Sequence, residues 1–305
     1  MNVYIIEGGI GKHVFFTSMI KKLAEKSARG KIIVMSSYPD IFENNPLVLR
    51  SLSRNTPYVY EDLILNKDNQ IYFADPYFDS GVIQNKTHVI ESWSTKLNIE
   101  YNKEDTPKIY PMPNLQNDAR KFKKENGKFI IVQFQCGQSP LGQDFKEPYK
   151  YQGFERSIPF DVAQKIIDGI KENYPDLTIV NFTLPNEYSS LKNCIRLDAP
   201  YLFYHALLEE AETFIGINSS LMHFAGALNK TGIVLWGGTS PKVWGYDFHI
   251  NLSGSCSQNN LYCSRPFLRD LGDFNSSGEK WQCPNPTCMN IEPEEILSNL
   301  KTLIN

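Results

Sequence analysis

The stretch TFIGINSSLMHFAGALNKTGIVLWGGTSPKVWG, at 213–245, constrains this chain more than any other. Its opening residues are apolar and largely β-branched, as a strand buried on both faces requires. Asn218, Ser219 and Ser220 are residue types that open helices, and Leu221, Phe224, Ala225 and Leu228 then recur at helical spacing. Asn229 stands where that helix should end and is an acceptable C-terminal cap, and 233–236 resumes a buried strand. A strand–helix–strand unit of this kind places a helix N-terminus at the carboxyl end of a parallel sheet. Free backbone N–H groups and the positive end of the helix dipole favour an anion there. Ser219, Ser220 and the Gly237-Gly238-Thr239 loop fall on the same edge, so a phosphate or diphosphate is the natural occupant. A capped helix without a ligand is the plain alternative.

The same rhythm runs through the chain. Residues 3–6 form a short apolar strand, followed by Gly8, Gly9 and Gly11 and an expected helix over 13–26 with Val14, Phe15, Met19, Ile20 and Leu23 on its apolar face. Strand, glycine-rich turn and helix open a doubly wound fold. Further strands are expected at 32–35 and 72–74, and helices at 88–97 and 114–126. Alternation restarts with a strand at 129–134. Helices at 159–174 and 201–211 then alternate with strands at 178–182 and 248–252, and an amphipathic helix over 292–303 closes the chain. The expected division is 1–118, 119–291 with a cysteine-containing insertion at 253–288, and a C-terminal helix over 292–305. Both halves are α/β.

At 305 residues the chain has room for two domains of about 100–200 residues each. A net charge of −3 gives no footprint for nucleic acid. No segment approaches the roughly 18 apolar residues that span a bilayer. The opening text MNVYIIEGGIGK enters a strand at once, with no basic leader, so the expected location is the cytoplasm. The basic run Arg120, Lys121, Lys123, Lys124 reads as a solvated helix face, with peripheral contact to a membrane's inner surface left open.

FIGINSSLMHFAGAL and GGTSPKVWG closely resemble the C-terminal signature of glycosyltransferase family 9, the ADP-heptose:lipopolysaccharide heptosyltransferases and their relatives. Asn218 stands where that family usually has Asp, and Ser220 where it usually has Gly. The resemblance implies a GT-B fold, two facing Rossmann-like domains with the active site in the cleft between them. It further implies an inverting, metal-independent transfer of sugar from a nucleoside-diphosphate sugar, an ADP-sugar by preference, to an acceptor hydroxyl. No cofactor is then required, and the acceptor is a glycan, a lipid-linked molecule or a protein.

In the family the loop after the first strand carries a catalytic Asp, and here Lys12 occupies that position in GGIGKHVFFTSM. An ordinary lysine is protonated at neutral pH and cannot accept a proton. His13, beside it, has a suitable unperturbed pKa and is the expected base, with Glu7 as the reserve. The resemblance makes Arg156, in YQGFERSIPFDVAQKI, the counterpart of a phosphate-contacting Lys, and an Arg binds diphosphate bidentately. It also assigns Glu187 to the nucleotide ribose and His223 to the phosphate helix. Gly9, Gly11, Asn218, Ser219, Ser220, Leu221 and Thr239 complete the expected donor site.

Cys136 and Cys194 read as structural. Cys256, Cys263, Cys283 and Cys288 share one Gly/Ser/Asn-rich insertion whose C-x6-C…C-x4-C spacing departs from the usual zinc pattern, so a metal or cross-link and packed thiols both remain open. Two other functional readings stand beside the transferase. One is a nucleotide-sugar-binding protein without transferase activity, motivated by Lys12 and Asn218. The other is a GDP-fucose-type enzyme, whose GGxGNQxFQ loop GGIGKHVFF also resembles.

Overall fold

The computed structural model describes residues 1–136, 154–183, 187–256, 262–263 and 287–304. Two sheets, each all parallel where paired, organise the chain. The first has the order β3-β2-β1-β4 and the second β10-β9-β8-β5-β6-β7. Strands β1 (Asn2–Ile6), β2 (Ile32–Ser36), β3 (Val48–Leu52) and β4 (Gln70–Tyr72) build the first. The second uses β5 (Phe129–Val132), β6 (Thr178–Asn181), β7 (Ile195–Arg196), β8 (Phe214–Ile217), β9 (Ile233–Trp236) and β10 (Ile250–Ser253). β5, β8 and β9 are buried at every residue, which is why they read as unbroken apolar runs. Two short strands, β3 and β7, escape the sequence reading. β3 alternates little and lies on an edge, and β7 has only two residues.

The helix expected over 13–26 is two helices, α1 (Ile10–Thr17) and α2 (Ile20–Glu25), and it starts three residues early. Further along come α3 (Ser80–Ile83), α4 (Val89–Lys96) and α5 (Pro113–Asn126). The second half adds α6 (Phe160–Asn173), α7 (Tyr201–Glu210), α8 (Ser220–Ala227) and α9 (Pro241–Trp244), and the chain's last helix is Pro293–Leu300. Asn229 takes φ 51 after α8, with Lys230 N–H donating to the Ala225 carbonyl and Asn229 N–H to that of Gly226. Those two bonds form a Schellman end, which suits the asparagine there.

The expected division at 118/119 falls inside α5. That helix packs on α7, with Gln116 donating to Glu209 Oε2 at 2.9 Å and Lys123 to the Glu210 carbonyl at 2.7 Å. By its contacts α5 belongs with the second sheet. The last helix packs on α6 in that same half. In the basic run, Arg120 and Lys123 face Glu210, and Lys121 faces Glu125. Three of its four charges therefore meet acidic neighbours within the chain. Among the described residues no helix is long and apolar enough to cross a membrane.

The largest core cluster crosses from one half to the other. It joins Tyr4, Ile6, Phe15 and Phe16 of the first to Phe224, Trp236 and Trp244 of the second. A full burial of such a side chain contributes about 1.5–3 kcal/mol. The contact between halves is thus a packed seam, centred on α1 against α8.

Candidate active site

In a doubly wound sheet, ligands bind outside the carboxyl ends of the strands where the order reverses. The second sheet reverses between β5 and β8, the first between β1 and β4. Both reversals open onto one cleft of about 740 Å³, a volume within the range of small-molecule and cofactor sites. Gly8, Gly9, Ile10, Gly11 and Lys12 line it from the first half. Gln133, Arg156, Asn218, Ser219, Ser220 and His223 line it from the second.

On the second wall the start of α8 is organised from the neighbouring strand. Gln133, just past β5, accepts the Leu221 N–H at 3.1 Å and donates to Ser219 Oγ at 3.2 Å. Gln133 therefore caps the helix, whereas Ser219, at the N-cap position, makes no capping bond of its own. Leu221 is fully buried with its N–H on Gln133, so this expected phosphate contact is already used. Asn218 donates to Thr239 Oγ1 at 2.8 Å. Thr239 is fully buried and steadies Asn218 from behind. Arg156, in the 3-10 turn Phe154–Arg156, donates from Nη1 to the Asn218 carbonyl at 3.1 Å. Burial alone would lower its pKa, but Cys136, Glu155 and Tyr77 more than offset that and hold the guanidinium charged. A fixed cation thus lines the cleft with the two serines at the start of α8.

The first wall departs from expectation. Gly8 takes φ 104 where the chain leaves β1, a conformation only glycine adopts easily. Lys12 reaches the cleft and its ammonium is paired with the Asp75 carboxylate, over the Tyr77 ring at 4.7 Å. His13 does not reach it. The side chain is fully buried, with Nδ1 2.9 Å from the Gly9 carbonyl and Nε2 3.2 Å from the Ile6 carbonyl. Carbonyls only accept, so neither ring nitrogen presents a lone pair to a ligand. Burial also lowers its pKa, although both carbonyls favour the charged ring. The expectation of His13 as base is corrected accordingly: this histidine fastens the turn between β1 and α1. Glu7 lies beside Arg54, at 3.2 Å, and Ser37, away from the cleft lining.

Between the walls α1 and α8 touch directly. The His223 ring packs on Phe15, centroids 4.2 Å apart, and shares a 3.2 Å hydrogen bond with the Tyr246 hydroxyl. Burial pushes its pKa down to about 3, so the ring is neutral. Gly11 is what lets the helices approach: a Cβ there would stand 2.7 Å from His223 Nε2. Gly11→Ala is expected to lose about 1–3 kcal/mol by overpacking a ring with nowhere to retreat. Urea denaturation reads this directly, and an unchanged midpoint would show that the seam yields.

The far end of the cleft follows β6 and β7. Phe182 stacks on Tyr204 at 4.0 Å, and Arg196, Leu197 and Asp198 continue the lining. Tyr38 meets Tyr201 edge-on at 5.6 Å, and the Tyr201 hydroxyl donates to Asp40 Oδ2 at 3.4 Å. This end joins the two halves a second time. None of these residues belongs to a motif; strand-end position is the one signal that could have found them. Glu187 opens the 3-10 turn Glu187–Ser190 after β6, and its side chain lies outside the described residues. Cys283 and most of the 253–288 insertion also lie outside them. Among the described residues no group of three or more His, Cys, Asp or Glu could hold a metal ion.

Two Rossmann-like halves with both strand-order reversals opening on one cleft define the GT-B architecture of glycosyltransferases. Residues 203–270 match the family model for glycosyltransferase family 9 (heptosyltransferase). A family 9 glycosyl transferase from Veillonella parvula is similar in structure over 99% of this chain and 96% of its own, with a TM-score of 0.67 and 12% identity. ADP-heptose lps heptosyltransferase II of E. coli gives 0.56 at 12% identity, over 99% of this chain and 98% of its own. The iron-containing dodecameric heptosyltransferase TibC from enterotoxigenic E. coli, solved in complex with ADP-D-beta-D-heptose, gives 0.60 at 12% identity, over 99% and 75%. At such identity these likenesses speak to the fold. No curated protein is recognisably similar in sequence. Over 203–270 the chain is thus similar to family 9, and its fold is similar to that of solved family 9 glycosyltransferases.

Proposed function

We propose that this chain transfers a sugar, with inversion, from an ADP-sugar to an acceptor hydroxyl. The observation that carries the reading is the juxtaposition of Arg156, Ser219 and Ser220 at the β5/β8 reversal, inside a cleft both halves line. There the donor diphosphate lies against the start of α8, with Asn218 held by Thr239. As the bond to the anomeric carbon breaks, negative charge grows on the departing diphosphate. Arg156 and the two hydroxyls, fixed before the substrate arrives, meet that charge without reorganising, and protein groups supply the compensation with no metal step. Glu187, in the turn after β6, is the residue we assign to the ribose. The ADP-D-beta-D-heptose bound by TibC supports an adenine nucleotide as donor. The acceptor is a glycan, lipid-linked or protein hydroxyl presented from the first half.

A thermal-shift comparison of ADP, GDP, UDP and CMP tests this. At a hundred times its dissociation constant a ligand adds about 2.7 kcal/mol of stability. ADP is expected to give the clear shift, followed by cleavage of an ADP-sugar. A response to GDP alone would favour the fucose-type donor. Binding without any donor cleavage would leave a nucleotide-sugar-binding protein, and no response from the folded protein would overturn the reading.

A further inference from the structure

An inverting transfer needs a proton acceptor on the side of the cleft opposite the leaving group. His13 is closed off by two carbonyls, and Glu7 faces Arg54 and Ser37. His223 is buried and neutral against Tyr246 and Phe15. Asp198 lines the far end, after the edge strand β7, three strands from β8.

Among the described residues, another carboxylate stands at the first sheet's strand-order reversal. Asp75 follows β4, directly across the first sheet's reversal from the loop that leaves β1. Its Oδ1 accepts the Tyr77 N–H at 2.9 Å, and its Oδ2 pairs with Lys12. Both of those neighbours line the cleft. The Asp75 side chain is 30% exposed, whereas that of Lys12 is 6% exposed. The carboxylate is therefore fixed in direction by two bonds and partly exposed, beside the stretch of cleft wall that Lys12 and Tyr77 form. Tyr77 also packs edge-on against Trp244 of the second half, centroids 4.8 Å apart, and feels the charges of both Asp75 and Arg156. The acid group and the diphosphate-binding cation thus flank one phenol.

Resting on the transferase reading above, we propose that Asp75 is the general base and that Lys12 positions it. The acceptor oxygen forms its bond to the anomeric carbon while the carbon–oxygen bond to the diphosphate breaks, its electron pair leaving with the nucleotide. The acceptor proton passes to the Asp75 carboxylate. Lys12 keeps its proton throughout and holds the carboxylate toward the cleft. This gives the buried lysine a task that neither proton transfer nor direct phosphate binding requires.

The test uses ADP-heptose with water as the acceptor, and ADP as the binding probe. Asp75→Asn is nearly isosteric; its donor hydrolysis is expected to fall about 10²–10⁴-fold, while the thermal shift with ADP stays that of the wild type. Asp75→Glu is expected to recover part of the loss. Hydrolysis by D75N within threefold of wild type, with ADP binding intact, overturns the role of Asp75 alone. Loss of ADP binding together with turnover makes the residue structural and also overturns it. Should D75N fail to fold, Asp75→Ser carries the test: donor hydrolysis within threefold of wild type without a carboxylate rejects Asp75 as the base. A wild-type protein that binds none of the nucleotides, or binds ADP and never cleaves the donor, overturns the transferase reading first.

Discussion

Acidification from pH 7 to 4.5 is expected to strip this protein of most of its stability, through its histidines. All five, His13, His88, His205, His223 and His249, are held below their ordinary pKa, in each case chiefly by burial. Burial takes His205 and His249 to about 4 and His223 to about 3. The sign follows from linkage. The unfolded chain binds a proton at each histidine near pH 6.5, and the folded chain takes it up only at lower pH, far lower for His205, His223 and His249. The neutral rings therefore contribute their full stability above pH 6.5, and lose it as the pH falls toward 4. By pH 4.5 each of the three strongly shifted rings has cost about 2 kcal/mol, a sum comparable with the whole stability of many domains. Urea midpoints measured at pH 7, 6, 5 and 4.5 should fall steadily. A midpoint level from 7 to 5 would mean that these rings take up protons where they stand.

Arg156→Ala is expected to lower turnover of an ADP-sugar by about 10²–10³-fold, the loss usual when a fixed donor facing developing charge is removed. The guanidinium is tied to the Asn218 carbonyl and lines the cleft with Ser219. Its removal takes away the charge and also a support of the turn that starts α8. Arg156→Lys keeps the charge but not the planar fork, and should recover only part of the activity. Steady-state kinetics of both variants, with the ADP thermal shift as the measure of binding, separate the two contributions. Wild-type turnover in R156A would remove this residue from the diphosphate site.

Much of the architecture was legible because it is written locally. The strand at 233–236, the helix opening at Ser220 and the asparagine that ends it each depend on residues within a few positions of one another. The cleft's second wall was legible for the same reason. The first wall was misread through a helix boundary. Placing the start of α1 at 13 made His13 a residue of the helix's mouth. The helix starts at Ile10, so His13 lies about a full turn inside it and about 100° around the axis from Lys12; Lys12 takes the cleft and His13 the core. Asp75, Tyr77, Gln133 and Tyr201 could not be found by pattern. Each sits at or beyond the end of an element, and only the order of strands in the two sheets brings them together.

The seam between α1 and α8 also bears on how the chain folds. Phe15, His223 and Tyr246 belong to one continuous interior, and the first sheet has only four strands to shelter its own residues. Its share of that interior is completed by side chains that the chain synthesises some two hundred residues later. During synthesis the face of α1 that this seam covers therefore stays without its partner until α8 has been made.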